Sequence, residues 1–99
     1  MNHQIRFTQA ARGDIERLYR FLAEQSIASA DAALRSIDKS WELLRDFPFS
    51  ARKADPANPY LRELLIPFGR AGYVALYEIN DDKTVTVLAV RHQREDDYH

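Results

Sequence analysis

The last eleven residues, AVRHQREDDYH (89–99), concentrate the side chains most able to do chemistry. An apolar run, Val87 to Val90, turns abruptly into Arg91, His92 and Arg94, then three acids, then Tyr98 and His99. His92 is the best proton donor of the group, because an unperturbed imidazole titrates near ~6.5. Arginines beside it could stabilise negative charge developing on a reacting group. The same stretch also reads as a strand end followed by a solvated tail, since runs such as Glu95-Asp96-Asp97 usually face water. Alternation along a regular strand puts His92 on the face of Thr84, Thr86, Leu88 and Val90. Arg91 then points the other way with Val85 and Val87, unless a bulge intervenes, while His92 and Arg94 share a face.

These residues need elements to hold them. With 99 residues, 45% apolar and 29% charged, the composition is that of one globular domain spanning 1–99. The absence of cysteine excludes disulfides and thiolate metal sites, and fits a reducing cytoplasm. The N-terminus lacks the apolar core of a signal peptide, and no segment is long and apolar enough for a bilayer. The expectation is a cytoplasmic protein with no membrane association. Net charge is −1, with nine Lys/Arg against eight Asp/Glu in residues 1–59 and five against seven in residues 60–99. That balance gives no global electrostatic footprint for nucleic acid.

HQIRF (3–7) reads as a short strand. Thr8 follows as a helix N-cap, its hydroxyl able to accept from an orphan backbone N–H. The first helix is read over 9–25, with Ala11, Ile15, Leu18, Tyr19 and Leu22 on its apolar stripe. Glu16 and Arg20 form an i,i+4 pair on it. A second helix, capped by Ser26 or Ser29, carries the stripe Ala30, Ala33, Leu34, Ile37, Trp41 and Leu44, and Pro48 ends it. So short a connection predicts an antiparallel helix hairpin, with Trp41 in the core. The proline-rich stretch 47–59 reads as a loop. Three strands follow, at 60–68, 73–79 and 84–92, separated by Gly69–Gly72 and by the hairpin turn Asn80-Asp81-Asp82-Lys83. The predicted class is α+β, in the order β-α-α-β-β-β, with the N-terminal helix hairpin packed on an antiparallel sheet. Tyr73 and Tyr77 share strand parity and are expected in a core or an interface. The spacing of His3, His92 and His99 suits no metal, and the sequence implies no cofactor.

With these elements in place, the chain resembles the RelE/ParE superfamily of bacterial type II toxin–antitoxin toxins, also called plasmid stabilisation proteins. The resemblance rests on Leu61-Arg62 entering a strand, Gly72-Tyr73-Val74 with Tyr77 on the next, and Val90-Arg91-His92-Gln93-Arg94-Glu95 on the last. It implies a small toxin neutralised by direct binding of a cognate antitoxin, which crosses the helix hairpin and the sheet. Given the near-neutral charge, the toxin alone is not expected to bind operator DNA well. Two activities occur on the fold. ParE-like members poison DNA gyrase; RelE-like members enter the ribosome and cleave mRNA.

On the RelE-like reading, Arg62 would hold phosphate charge, and His92 or Arg94 would supply acid and cation. Tyr98 would take the place of a C-terminal tyrosine, with Arg52 and Lys53 adding charge. The near-neutral balance, the acids beside Tyr98 and the chain's stop one residue later favour the ParE-like branch. The competing structural readings are that Arg62 pairs with an acid across the sheet, such as Glu78, or with the tail, and that His92 is a strand-end residue bonded to a neighbouring carbonyl or carboxylate.

Overall fold

Thr8 divides the first strand from the first helix, and its side chain does the dividing. Its hydroxyl accepts from the Ala11 N–H at 3.0 Å and donates to the Leu88 carbonyl at 3.1 Å. The helix start is thereby capped and tied to the last strand at once. The structure, a computed structural model, describes residues 3–93. Its elements are β1 (Gln4–Phe7), α1 (Gln9–Ala23), α2 (Ile27–Asp46), β2 (Arg52–Asp55), β3 (Asn58–Phe68), β4 (Ala71–Ile79) and β5 (Thr84–His92). Ser26 caps α2 by accepting from the Ser29 N–H at 3.2 Å, and Tyr19 donates to Asp31 at 2.8 Å to hold the two helices together. Among the described residues no helix is long and apolar enough to cross a membrane.

The strands form one sheet in the order β1-β5-β4-β3-β2. The α+β class and the helix pair packed on the sheet are as expected, with two additions. First, β1 joins the edge parallel to β5, pairing Gln4 with Thr84 through Phe7 with Val87. The chain between them runs through both helices and the other three strands, far longer than the crossover that parallel neighbours require. Second, part of the stretch read as a loop pairs with β3, as Arg52 with Glu63 and Lys53 with Arg62. Pro56 sits in the turn that follows β2 rather than within it, so the proline-rich composition did not prevent a short edge strand.

The core lies between the helices and one face of the sheet. Ala11, Ile37, Trp41 and Leu44 from the helices meet Leu64, Ile66, Tyr73, Ala75, Tyr77, Val85, Val87 and Val90. Trp41 is buried as expected and meets the Phe7 ring edge-on, centroids 5.2 Å apart. Tyr73 and Tyr77 are core residues too. The Tyr77 hydroxyl donates to the Pro48 carbonyl at 2.5 Å, fixing the chain where it leaves α2.

Burial pushes the Tyr77 phenol up to about 12 from its ordinary 10.0, against a smaller opposing pull from Arg62. A phenol that ionises later in the folded than in the unfolded chain contributes stability that is whole below pH 10. That contribution is lost as pH rises from 10 through 12. Urea titrations from about pH 9 to about pH 12 should show this fall, and Tyr77→Phe should remove its largest part. Burial raises Tyr73 in the same direction, which leaves a smaller slope in the variant.

Between Leu76 and Tyr77 the pairing with β5 slips, from Leu76–Ala89 to Tyr77–Val87. Leu88 is the extra residue, a bulge that resets the alternation of β5. His92 therefore lands on the helix-facing side with Val85, Val87 and Val90, opposite Tyr73, and Arg91 falls on the other side. Simple alternation had placed His92 with Thr84 and Thr86.

Candidate functional site

The end of β5 is organised by a residue that the motif reading did not single out. Asp14 is the buried charged side chain among the described residues, 3% exposed. It lies in α1, three residues after Ala11 and next to Ile15, so it occupies the apolar stripe. Beyond Phe7, β1 no longer pairs with β5, so the Val90 N–H would face an empty edge. Asp14 fills it. One carboxylate oxygen accepts from Val90 N–H at 2.9 Å, and the other meets the Arg91 guanidinium at 2.6 Å and also that of Arg17. A buried carboxylate is sustained only by such partners. The legible signal was an acid inside a helical apolar stripe, where a solvent-facing acid does not belong.

His92 sits one residue further on, its ring edge-on to Tyr73 with centroids 5.7 Å apart. Tyr73 in turn stacks on Phe68 at 6.0 Å. Leu18, Phe21 and Leu22 of α1 face these rings and Arg70 across an open groove of about 290 Å³.

Arg62 belongs to a different neighbourhood. Its guanidinium donates to the carbonyls of Pro59 at 2.7 Å, Phe49 at 3.2 Å and Ala51 at 2.8 Å. It also lies 5.2 Å from the centre of the Phe49 ring, which meets Tyr60 edge-on. Arg62 thus stitches the segment after α2 onto β3 through carbonyls. Glu78, the acid expected across the sheet, instead accepts from Asn80 at 3.2 Å, the neighbouring Glu63 pairs with Arg52 at 3.1 Å, and the acids of the tail lie outside the described residues. Lys53 stands directly opposite Arg62 in register, so this edge holds two cations side by side.

The register sets the distance between the two neighbourhoods. Arg62 is opposite Tyr77 and His92 opposite Tyr73, on the two sides of β4. Four residues along a strand and two strand widths across it put the backbones about 16 Å apart. The fold does not bring Arg62 and His92 together. Arg94 and Tyr98, the other residues of the RelE-like reading, lie outside the described residues. Among the described residues no three His, Asp or Glu side chains gather where they could hold a metal ion.

Comparison with known proteins agrees with this architecture. The family model for the ParE toxin of the type II toxin–antitoxin system parDE matches residues 5–97. Toxin RelE3 of Caulobacter vibrioides is 31% identical over 86 residues, covering 86% of this chain and 88% of that protein. Among solved structures, the chromosomal ParDE toxin–antitoxin system from P. aeruginosa superposes with a TM-score of 0.70 at 17% identity, covering 91% of this chain and 95% of that one. The last is a likeness of fold. The first two span nearly the whole sequence, and the chain belongs to the ParE toxin family of type II toxin–antitoxin systems.

Proposed function

We propose that this toxin acts as a ParE-like inhibitor of DNA gyrase, by contact rather than by cutting RNA. Its partner is a cognate antitoxin, as its family membership implies. The observation that carries the contact reading is the separation of Arg62 from His92. Cleavage by a 2′-hydroxyl needs a base, an acid and cations around one phosphate; here the backbones of Arg62 and His92 stand about 16 Å apart, and the Arg62 guanidinium is turned onto the carbonyls of Pro59, Phe49 and Ala51. The net charge of −1 supports the same reading, since a toxin that grips RNA leans on Lys and Arg. On this reading the protein works in the cytoplasm, needs no cofactor, and leaves operator DNA to its antitoxin.

The similarity to a toxin named RelE3 keeps a second reading, a ribosome-dependent mRNA endoribonuclease. Its site would draw on His92, Arg94 and Tyr98, with Arg62 contributing only through a longer stretch of bound RNA. The two separate on mutation. His92→Gln and Tyr98→Phe should leave inhibition of gyrase supercoiling unchanged. Loss of toxicity in either variant, with folding and antitoxin binding intact, would favour the nuclease.

A further inference from the structure

The segment that leaves α2 carries an aromatic ring into solvent and meets a second one there. Phe49 is 51% exposed and Tyr60, at the start of β3, is 54% exposed. Their rings touch edge-on, centroids 6.1 Å apart. Single exposed apolar side chains are ordinary, but two large rings held together in water are not. Both are fixed in place. The Tyr77 hydroxyl anchors the Pro48 carbonyl just before Phe49, and Arg62 grips the carbonyls of Phe49 itself and of Ala51. The Tyr60 N–H donates to the Asn58 side chain at 3.0 Å. The pair is thus set before any partner arrives, which lowers the ordering cost of binding.

The same patch is cationic. Lys53 stands opposite Arg62, and Arg62 is two residues along β3 from Tyr60, so all three share a face. Carbonyls accept from Arg62 without neutralising it. Among the described residues no carboxylate pairs with Lys53 or Arg62: Glu63 is taken by Arg52, and Asp55 accepts from the Ala57 N–H at 2.9 Å.

We infer that Phe49, Tyr60, Lys53 and Arg62 form the surface with which the toxin grips gyrase, entering an acidic, apolar cleft on that enzyme. The inference rests on the gyrase reading and adds where the contact is made. Rigid aromatic side chains beside arginine are the usual energetic centre of a protein interface. Three features choose the occupant. The rings project, so the partner supplies the hollow, as a folded enzyme does; a segment that folds on binding needs the groove on the toxin's side. Nucleic acid is a poor match, because bases stack on open ring faces. Here the edge-on contact and the Arg62 guanidinium take up faces of the pair. Nε and Nη1 of Arg62 already donate to carbonyls, which breaks up the two-nitrogen fork that grips a phosphate. A symmetric contact with a second copy would bring cations to cations.

Inhibition of gyrase supercoiling by the purified toxin tests this, read as the half-inhibitory concentration, beside antitoxin affinity and the thermal midpoint. Phe49→Ala and Lys53→Glu should each raise that concentration at least about tenfold, the effect of losing a central interface residue. Antitoxin affinity should not change. The fold should survive both, since Phe49 lies outside the core and Lys53→Glu replaces a like-charge pair with an attractive one opposite Arg62. Ile27→Ala, at an apolar residue no less exposed, should inhibit as wild type does. Undiminished inhibition by Phe49→Ala and Lys53→Glu would overturn the proposal. So would loss of antitoxin binding in them with inhibition intact, which would assign the patch to the antitoxin. Wild-type binding of a single-stranded oligonucleotide, abolished by Lys53→Glu, would overturn it too. A wild-type toxin that leaves supercoiling untouched would instead remove the gyrase reading beneath it, and with it the partner named here.

Discussion

Asp14→Ala should lower the unfolding free energy by about 3–5 kcal/mol, the typical effect of deleting one partner of a buried ion pair. The Asp14 side chain is 4% exposed and Arg91 24%, so the variant removes a carboxylate from a contact largely shielded from water. The Val90 N–H would lose its acceptor as well. Arg17 adds little, because its side chain is 64% exposed and water screens that pair. Against a total of roughly 5–15 kcal/mol for a domain of this kind, the loss leaves little margin. Asp14→Asn keeps an oxygen for Val90 and gives up only the charge, so its effect should be smaller. Urea unfolding decides: the midpoint should fall in the order wild type, Asn, Ala, with the slope unchanged. Equal stability of all three would mean that the end of β5 does not depend on this carboxylate.

Gly72→Ala should cost about 3 kcal/mol, combining a strained backbone with a steric clash. Gly72 has φ +114°, a conformation that side-chain-bearing residues rarely adopt. A Cβ there would also overlap the Ile66 carbonyl and stand 2.9 Å from the Phe68 amide. Both neighbours are backbone atoms in a paired strand, so neither moves cheaply. Gly13 is the natural control. It lies inside α1 with an ordinary backbone, and an added Cβ would meet only the flexible end of Arg17 at 3.6 Å. Gly13→Ala should therefore stabilise, by up to about 1 kcal/mol. Thermal unfolding of the two variants should move in opposite directions. A shift of the same sign in both would show that glycine content, and not position, governs the response.

What could be read from the sequence was local. Thr8 and Ser26 announced their helices because a cap is a short-range hydrogen bond between a side chain and its own next turn. The stretch Thr84–His92 announced a strand because a β-branched apolar run bounded by a polar turn has little alternative. The unread features all depend on partners distant in the chain. β2 exists only as the pairing partner of β3, with Arg52 opposite Glu63, eleven residues on. The parallel docking of β1 is set where the helix pair returns the chain. The bulge at Leu88 has no composition signal, yet it decides which way His92 and Arg91 point. The same holds for the site. Arg62 and His92 are both cation-capable residues near strand ends, and only the register reveals that they serve separate neighbourhoods. Asp14 was visible in principle, as an acid inside an apolar stripe, but its role required knowing that β1 stops short of Val90.

The most direct measurement is a pair of assays on one preparation of purified toxin: supercoiling by DNA gyrase, beside mRNA cleavage in a translating extract. Loss of supercoiling with intact mRNA, reversed by the antitoxin, is the expected result. Codon-phased cleavage of mRNA with normal supercoiling would contradict it, and would make His92, Arg94 and Tyr98 the residues to explain.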